Sequence, residues 1–194
     1  MAFPDVAQLT ALISPAVDPR GWDVEAVKVT KAGKKSVVAV KLDADDRPTL
    51  DDLEVVSTEI SELLDAAEER GDANFGAGYT LEVSTPGVDL PLTAPRHWRR
   101  NRHRLVALTE EGQKSLWRIG ALAEDDSAVI LVAADKKKSG NRDVSVFPED
   151  VRELQLSSAP IAVVEVEFNE SPATQLEITA KTYQEATQWR EEHK

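Results

Sequence analysis

The side chains able to do covalent chemistry are few in this chain of 194 residues. There is no cysteine, which removes thiolate nucleophiles, disulfides and thiolate zinc sites together and fits a reducing compartment. Of the three histidines, His97 and His103 fall inside a run of arginines and His193 lies next to the C-terminal residue. No nucleotide-binding fingerprint or metal-ligand spacing accompanies them, so no nucleophile or acid–base constellation forms. Asp43, Asp45 and Asp46 suggest calcium, but Arg47 and Pro48 stand where an EF-hand loop needs a ligand and a glycine. Ala32-Gly33-Lys34-Lys35-Ser36 superficially suggests a phosphate loop, yet the upstream glycine spacing is missing. Asn169-Glu170-Ser171 matches a glycosylation sequon, which has no meaning without secretion. The expectation is a protein with no catalytic residue, no metal and no cofactor, and not an enzyme.

What remains is binding chemistry. Arg96-His97-Trp98-Arg99-Arg100-Asn101-Arg102-His103-Arg104 is the one dense basic stretch. Arginine presents a fork of donors that suits phosphate, and an indole can stack on a base, so Arg96, Trp98, Arg99, Arg100 and Arg102 are candidate RNA contacts. The competing reading is a short helix whose Trp98 packs inward while the arginines face solvent or acidic surface. Ser84-Thr85-Pro86-Gly87-Val88-Asp89-Leu90-Pro91-Leu92 is a second candidate. Pro86 and Pro91 restrict it, Gly87 can turn left-handed, and Asp89 can cap a turn or meet a basic partner. It reads first as a rigid interdomain connection, with partner contact as its functional extension. Lys136-Lys137-Lys138, beside Ser139-Gly140-Asn141, reads as a solvated loop, with minor RNA contact as the alternative.

These residues sit on elements that the hydrophobic pattern outlines. Asp5 caps a first helix carrying Val6, Leu9 and Ile13, which Pro15 should end or bend. Gly21 leads into a strand through Trp22, Val24 and Ala26. The turn at Ala32 to Lys35 returns it as a strand from Ser36 to Leu42, making a hairpin. Thr49 caps a second helix, with Asp51 and Asp52 in its first turn and a stripe of Leu53, Val56, Ile60, Leu63 and Ala67. Tyr79, Leu81 and Val83 alternate in a third strand. Residues 1–92 therefore read as an N-terminal α/β domain, with a three-stranded sheet and helices on one face.

After Pro95 the pattern changes to short strands, at Leu105 to Leu108, Leu116 to Leu122, Val129 to Val132, Val144 to Phe147 and Val151 to Leu156. Gly120 marks a bulge or bend, and Phe147 to Val151 a tight helical turn. Residues 93–158 read as a small closed β-barrel of SH3-like or Sm-like layout, giving an α+β chain. Residues 159–194 form an acidic tail, read as partly disordered or helical because few large apolar residues could anchor it. Ile161 to Phe168 could be a strand and Ser171-Pro172 a helix start, placing Leu176, Ala180 and Tyr183 on one face.

Charge divides along the same lines. The net charge is −12, made of −10 over residues 1–93, +2 over 94–156 and −4 over 157–194. Such a body favours basic protein partners over bare nucleic acid. The N-terminal residues lack the basic flank of a signal peptide, and Ala128 to Ala134, the longest apolar run, is far too short to cross a bilayer. A cytoplasmic monomer without membrane attachment is expected.

Two segments resemble a known family. Thr49-Leu50-Asp51-Asp52-Leu53, continuing through Val56-Ser57, Ile60-Ser61 and Leu64-Asp65, resembles the second helix of the bacterial ribosome maturation factor RimP family. Tyr79-Thr80-Leu81-Glu82-Val83-Ser84-Thr85-Pro86-Gly87-Val88-Asp89-Leu90-Pro91-Leu92 is similar to its signature, in which a strand ends in serine, proline and glycine followed by aspartate, arginine, proline and leucine. The likeness covers about residues 1–157. Leu90 replaces the usual arginine, and Asn101 and His103 stand where an aromatic and a glycine are common. The resemblance implies a non-enzymatic factor that binds the immature small (30S) ribosomal subunit and assists its late assembly. It implies contact with the twelfth small-subunit ribosomal protein, a basic partner, through the C-terminal barrel, and it makes 16S rRNA the RNA that the basic stretch would meet. The alternative is a general RNA-binding or translation-regulating module.

Overall fold

A computed structural model describes residues 3–88, 90–134, 145–158 and 161–194. Asp89, the Lys136–Lys138 loop and Val144 lie outside the described residues. The chain divides into two compact units, Met1–Gly87 and Val88–Lys194.

The first unit runs α1 (Val6–Val17), β1 (Asp23–Ala32), β2 (Lys35–Asp43), α2 (Leu50–Glu69) and β3 (Tyr79–Ser84). Asp5 caps α1 through a box in which its carboxylate accepts from Gln8 N at 2.8 Å and Gln8 Oε1 accepts from Asp5 N at 3.0 Å. Pro15 does not end this helix, which continues to Val17. Ala16 and Val17 are both buried in the core, and their burial outweighs the hydrogen bond that proline cannot donate. Thr49 and Asp52 cap α2 in the same way. Its fully buried stripe is Leu53, Val56, Ile60, Leu64 and Ala67, with the expected Leu63 only partly buried. β1 and β2 pair antiparallel with an irregularity between Val24 and Ala26, and β3 joins β2 in parallel. Both helices contribute to a core with Val38, Val40 and Leu42 of β2, leaving the opposite sheet face without a helix from this unit.

The second unit contains α3 (Pro95–Arg100), β4 (Leu105–Glu110), β5 (Gln113–Leu122), β6 (Ala128–Ala133), β7 (Val151–Gln155), β8 (Ile161–Glu165), α4 (Ala173–Ala180) and α5 (Tyr183–Glu192). The five strands form one antiparallel sheet in the order β7-β6-β5-β4-β8. Gly120 sits at the irregularity in the β5–β6 ladder, where an added Cβ would lie 3.0 Å from both Ile130 Cβ and the Ile130 carbonyl oxygen. The expected strand from Val144 to Phe147 is absent over Ser145–Phe147, which is irregular. The helical turn that follows, Pro148–Asp150, is present.

The tail after residue 158, expected to be partly disordered or helical, carries one strand and two helices among its described residues. β8 pairs with β4 along its whole length, so it is part of the sheet. α4 and α5 supply Ile178 and Ala186 to a cluster with Ile130, Val132 and Val151. Few large apolar residues are needed, because backbone pairing and small side chains provide the anchorage. The expected helix from Ser171-Pro172 is present as α4, beginning at Ala173.

Candidate functional site

The connecting loop is fixed at its two ends by different devices. On the first unit, Lys41 Nζ donates to Ser84 Oγ at 2.8 Å, tying β2 to the end of β3. Thr85 and Pro86 follow, and Gly87 turns at φ 66°, a left-handed value that costs glycine little. On the second unit, Pro91 forms an antiparallel bridge with Val163, and Leu92 N donates to Ala162 O at 2.8 Å. Leu92 is buried in the core of that unit.

The basic stretch is built as follows. Pro95 opens α3 at a position where a missing N–H is harmless. His97 Nδ1 accepts from the backbone N–H groups of Thr93 and Ala94, at 3.0 and 3.2 Å, closing the helix start. Trp98 is 2% exposed and packs with Val106, Leu108, Ile119 and Leu131. It is therefore a core residue, which corrects its assignment as a base-stacking side chain. Arg102 is also withdrawn from the candidate contacts. Its Nε donates to Thr179 O at 2.9 Å and its Nη2 to Lys181 O at 2.7 Å. These carbonyls belong to the C-terminal end of α4, where a cation also meets the helix dipole. Of the remaining candidates, Arg99 is exposed and Arg96 and Arg100 are half-buried, all on α3.

Next to Arg102 lies a polar core that sequence reasoning missed. Arg118 on β5 is 1% exposed. It grips Glu167 bidentately, Nη2 to Oε1 at 2.6 Å and Nη1 to Oε2 at 2.9 Å. Its Nε donates to Gln175 Oε1 at 2.9 Å, and Nη1 also reaches His103 O and Ser171 Oγ at 2.8 and 3.0 Å. Hydrogen bonding to Arg118 holds the Glu167 carboxyl below the usual carboxylate range, against the opposing effect of burial. Burial, followed by Arg102 and Arg118, pushes the His103 imidazole below its ordinary value. The Thr179 hydroxyl donates to Leu176 O at 3.2 Å, leaving its oxygen to accept from His103 Nδ1–H, with the two atoms 2.9 Å apart. This cluster braces α4 against the α3–β4 connection, with Arg118 at its buried centre. The sequence signal for it was an arginine inside the otherwise apolar run from Leu116 to Leu122.

Two further ion pairs lie on the surface of this sheet. Arg152 meets Glu110 bidentately at 2.6 and 2.7 Å, with its guanidinium 5.8 Å from the centre of the Trp117 ring. Lys114 pairs with Glu165. Among the described residues, no group of three or more histidine, cysteine, aspartate or glutamate side chains could hold a metal ion. No helix among them is long and apolar enough to cross a membrane.

Comparison with known proteins places this architecture in a family. Residues 12–89 match the model of the RimP N-terminal domain. The chain is 51% identical over 194 residues to the ribosome maturation factor RimP of Corynebacterium diphtheriae, covering 100% of both proteins. It is 51% identical over 191 residues to that of Corynebacterium aurimucosum, covering 97% of this chain and 96% of the relative. A more distant relative, from Frankia casuarinae, is 39% identical over 163 residues, 83% of this chain and 59% of the relative. Identity at this level across both units, tail included, shows that the chain belongs to the ribosome maturation factor RimP family.

Proposed function

We propose that this protein is a ribosome maturation factor that acts by adhesion, binding the immature 30S subunit and assisting its late assembly without catalysis, in the cytoplasm and as a monomer. The observation that carries this reading is the full-length 51% identity to a protein named ribosome maturation factor RimP. The second unit is best read as an SH3-like barrel. Its five short antiparallel strands, the helical turn before β7 and a single enclosed core around Ile119 and Leu131 support this layout.

The favoured protein partner is the basic twelfth small-subunit ribosomal protein, received by the second unit. The net charge of −12 supports a basic partner through long-range attraction. Contact with 16S rRNA is assigned to Arg96, Arg99 and Arg100 on α3, with the loop Ser84 to Leu92, Asp89 included, as a further partner-facing segment. The test is to titrate the full-length protein with the twelfth ribosomal protein and, separately, with free 16S rRNA. Tight binding of the protein and weaker, salt-sensitive binding of the RNA is the expected result. Tight RNA binding with no affinity for the ribosomal protein would favour a general RNA-binding module instead.

A further inference from the structure

Every lysine of the first unit lies on one ribbon. Between Ala26 and Leu42 lie five lysines, Lys28, Lys31, Lys34, Lys35 and Lys41, and no carboxylate. The other residues up to position 88 carry three arginines against seventeen carboxylates. That run is the β1–β2 hairpin. Strand alternation sets Lys28, Lys35 and Lys41 on the face opposite the core-facing Val27, Val29, Val38 and Val40. Lys31 stands across the ladder from Ser36, and Lys34 is in the turn. Lys41 is held by Ser84, whereas Lys28, Lys31, Lys34 and Lys35 are exposed. None of these four joins an ion pair among the described residues. Glu82, one strand beyond Ala39, is the carboxylate in the row of Lys28, and Asp23, Glu25 and Asp43 lie toward the far end of the hairpin.

The composition of the ribbon decides what it fits. Protein interfaces centre on aromatic, methionine or arginine anchors and are poor in lysine. Residues 26–42 contain none of those anchors. The exposed large apolar side chains of this unit, Val6, Leu50 and Val55, are all on helices. Lysine without such anchors suits phosphate, and the hairpin has no arginine, amide or aromatic side chain with which to read bases. The acidic remainder of the unit would repel a polyanion everywhere else, which confines it to this ribbon. We propose that the distal β1–β2 hairpin, through Lys28, Lys31, Lys34 and Lys35, docks the phosphate backbone of folded RNA without regard to sequence. The inference rests on the small-subunit reading only for which RNA this is.

The full chain carrying K28Q, K31Q, K34Q and K35Q tests it, with thermal melting to verify the fold. Affinity for purified immature small subunits, for naked 16S rRNA and for poly-glutamate is measured across a potassium chloride series. Each phosphate contact contributes roughly 0.7 to 0.9 to the log–log salt slope. The quadruple variant should lose about 2 to 4 of that slope on RNA and bind about tenfold or more weakly at low salt. Single K31Q and K34Q variants, each flattening the slope by about 1 at most, replace it if it melts early. An unchanged slope overturns the hairpin assignment, while continued wild-type binding to subunits leaves the function intact. If the wild type ignores subunits, the function fails and naked rRNA alone judges the hairpin, with lysine-independent binding or none overturning it. Lysine-dependent binding of poly-glutamate that exceeds RNA binding would also overturn it.

Discussion

Arg118 is the residue whose loss should be felt most. Its charge is buried and compensated by Glu167, Gln175, Ser171 and the His103 carbonyl. Removing one partner of such a pair leaves the other unpaired, so Arg118→Ala should destabilise the protein by about 3–5 kcal/mol in denaturant melts. Replacing Arg118 with Met and Glu167 with Leu together should recover much of that loss. Titration gives a second expectation. His103 is held below its ordinary 6.5, so the folded protein resists a proton that the unfolded chain accepts. Stability should therefore start to fall as pH drops through 6.5. Glu167 is held below 4.5, so its contribution is complete above that pH and is lost as pH falls further. His103→Asn should abolish the first step and spare the second in melts taken across pH. Residue types alone could not reveal these roles. Trp98 and Arg102 lie in a basic run where each could equally face RNA, and only the core of the second unit and the end of α4 show where their side chains go.

Secondary structure was legible where signals agreed and obscure where anchorage was polar. The Thr49 cap and the apolar stripe of α2 point to the same helix, and the structure has it from Leu50 to Glu69. The hairpin was legible from its alternation and from Gly33 in the turn, which takes φ 65°. Pro15 was misread because local propensity yielded to the burial of Ala16 and Val17. The tail was left open between disorder and helix because β8 is anchored by ladder pairing with β4 and α4 by Gln175 and Thr179, features that hydrophobicity does not register. Ending the chain after Glu170 should therefore uncover Ile130, Val132 and Val151 and lower the melting temperature of the second unit. A truncated protein that melts like the intact one would contradict this packing. Gly120→Ala probes the sheet itself. Its methyl group would press on Ile130 and should cost about 1–3 kcal/mol in denaturant melts.

For the whole molecule, the two binding surfaces proposed above would matter more together than either alone. A connection restrained by Pro86 and Pro91 would raise the effective concentration of the second contact once the first has formed. Acidic surface would draw in a basic ribosomal protein, and lysines on the hairpin and arginines on α3 would meet RNA beside it. This arrangement calls for a target that presents both, which a partly assembled ribosomal subunit does. Sedimentation of cell lysate through a sucrose gradient addresses the central claim most directly. The protein should travel with free small subunits and be missing from complete ribosomes, with its small-subunit fraction falling as salt rises. A protein that stays at the top of the gradient at low salt, or that sediments equally with complete ribosomes, would contradict it.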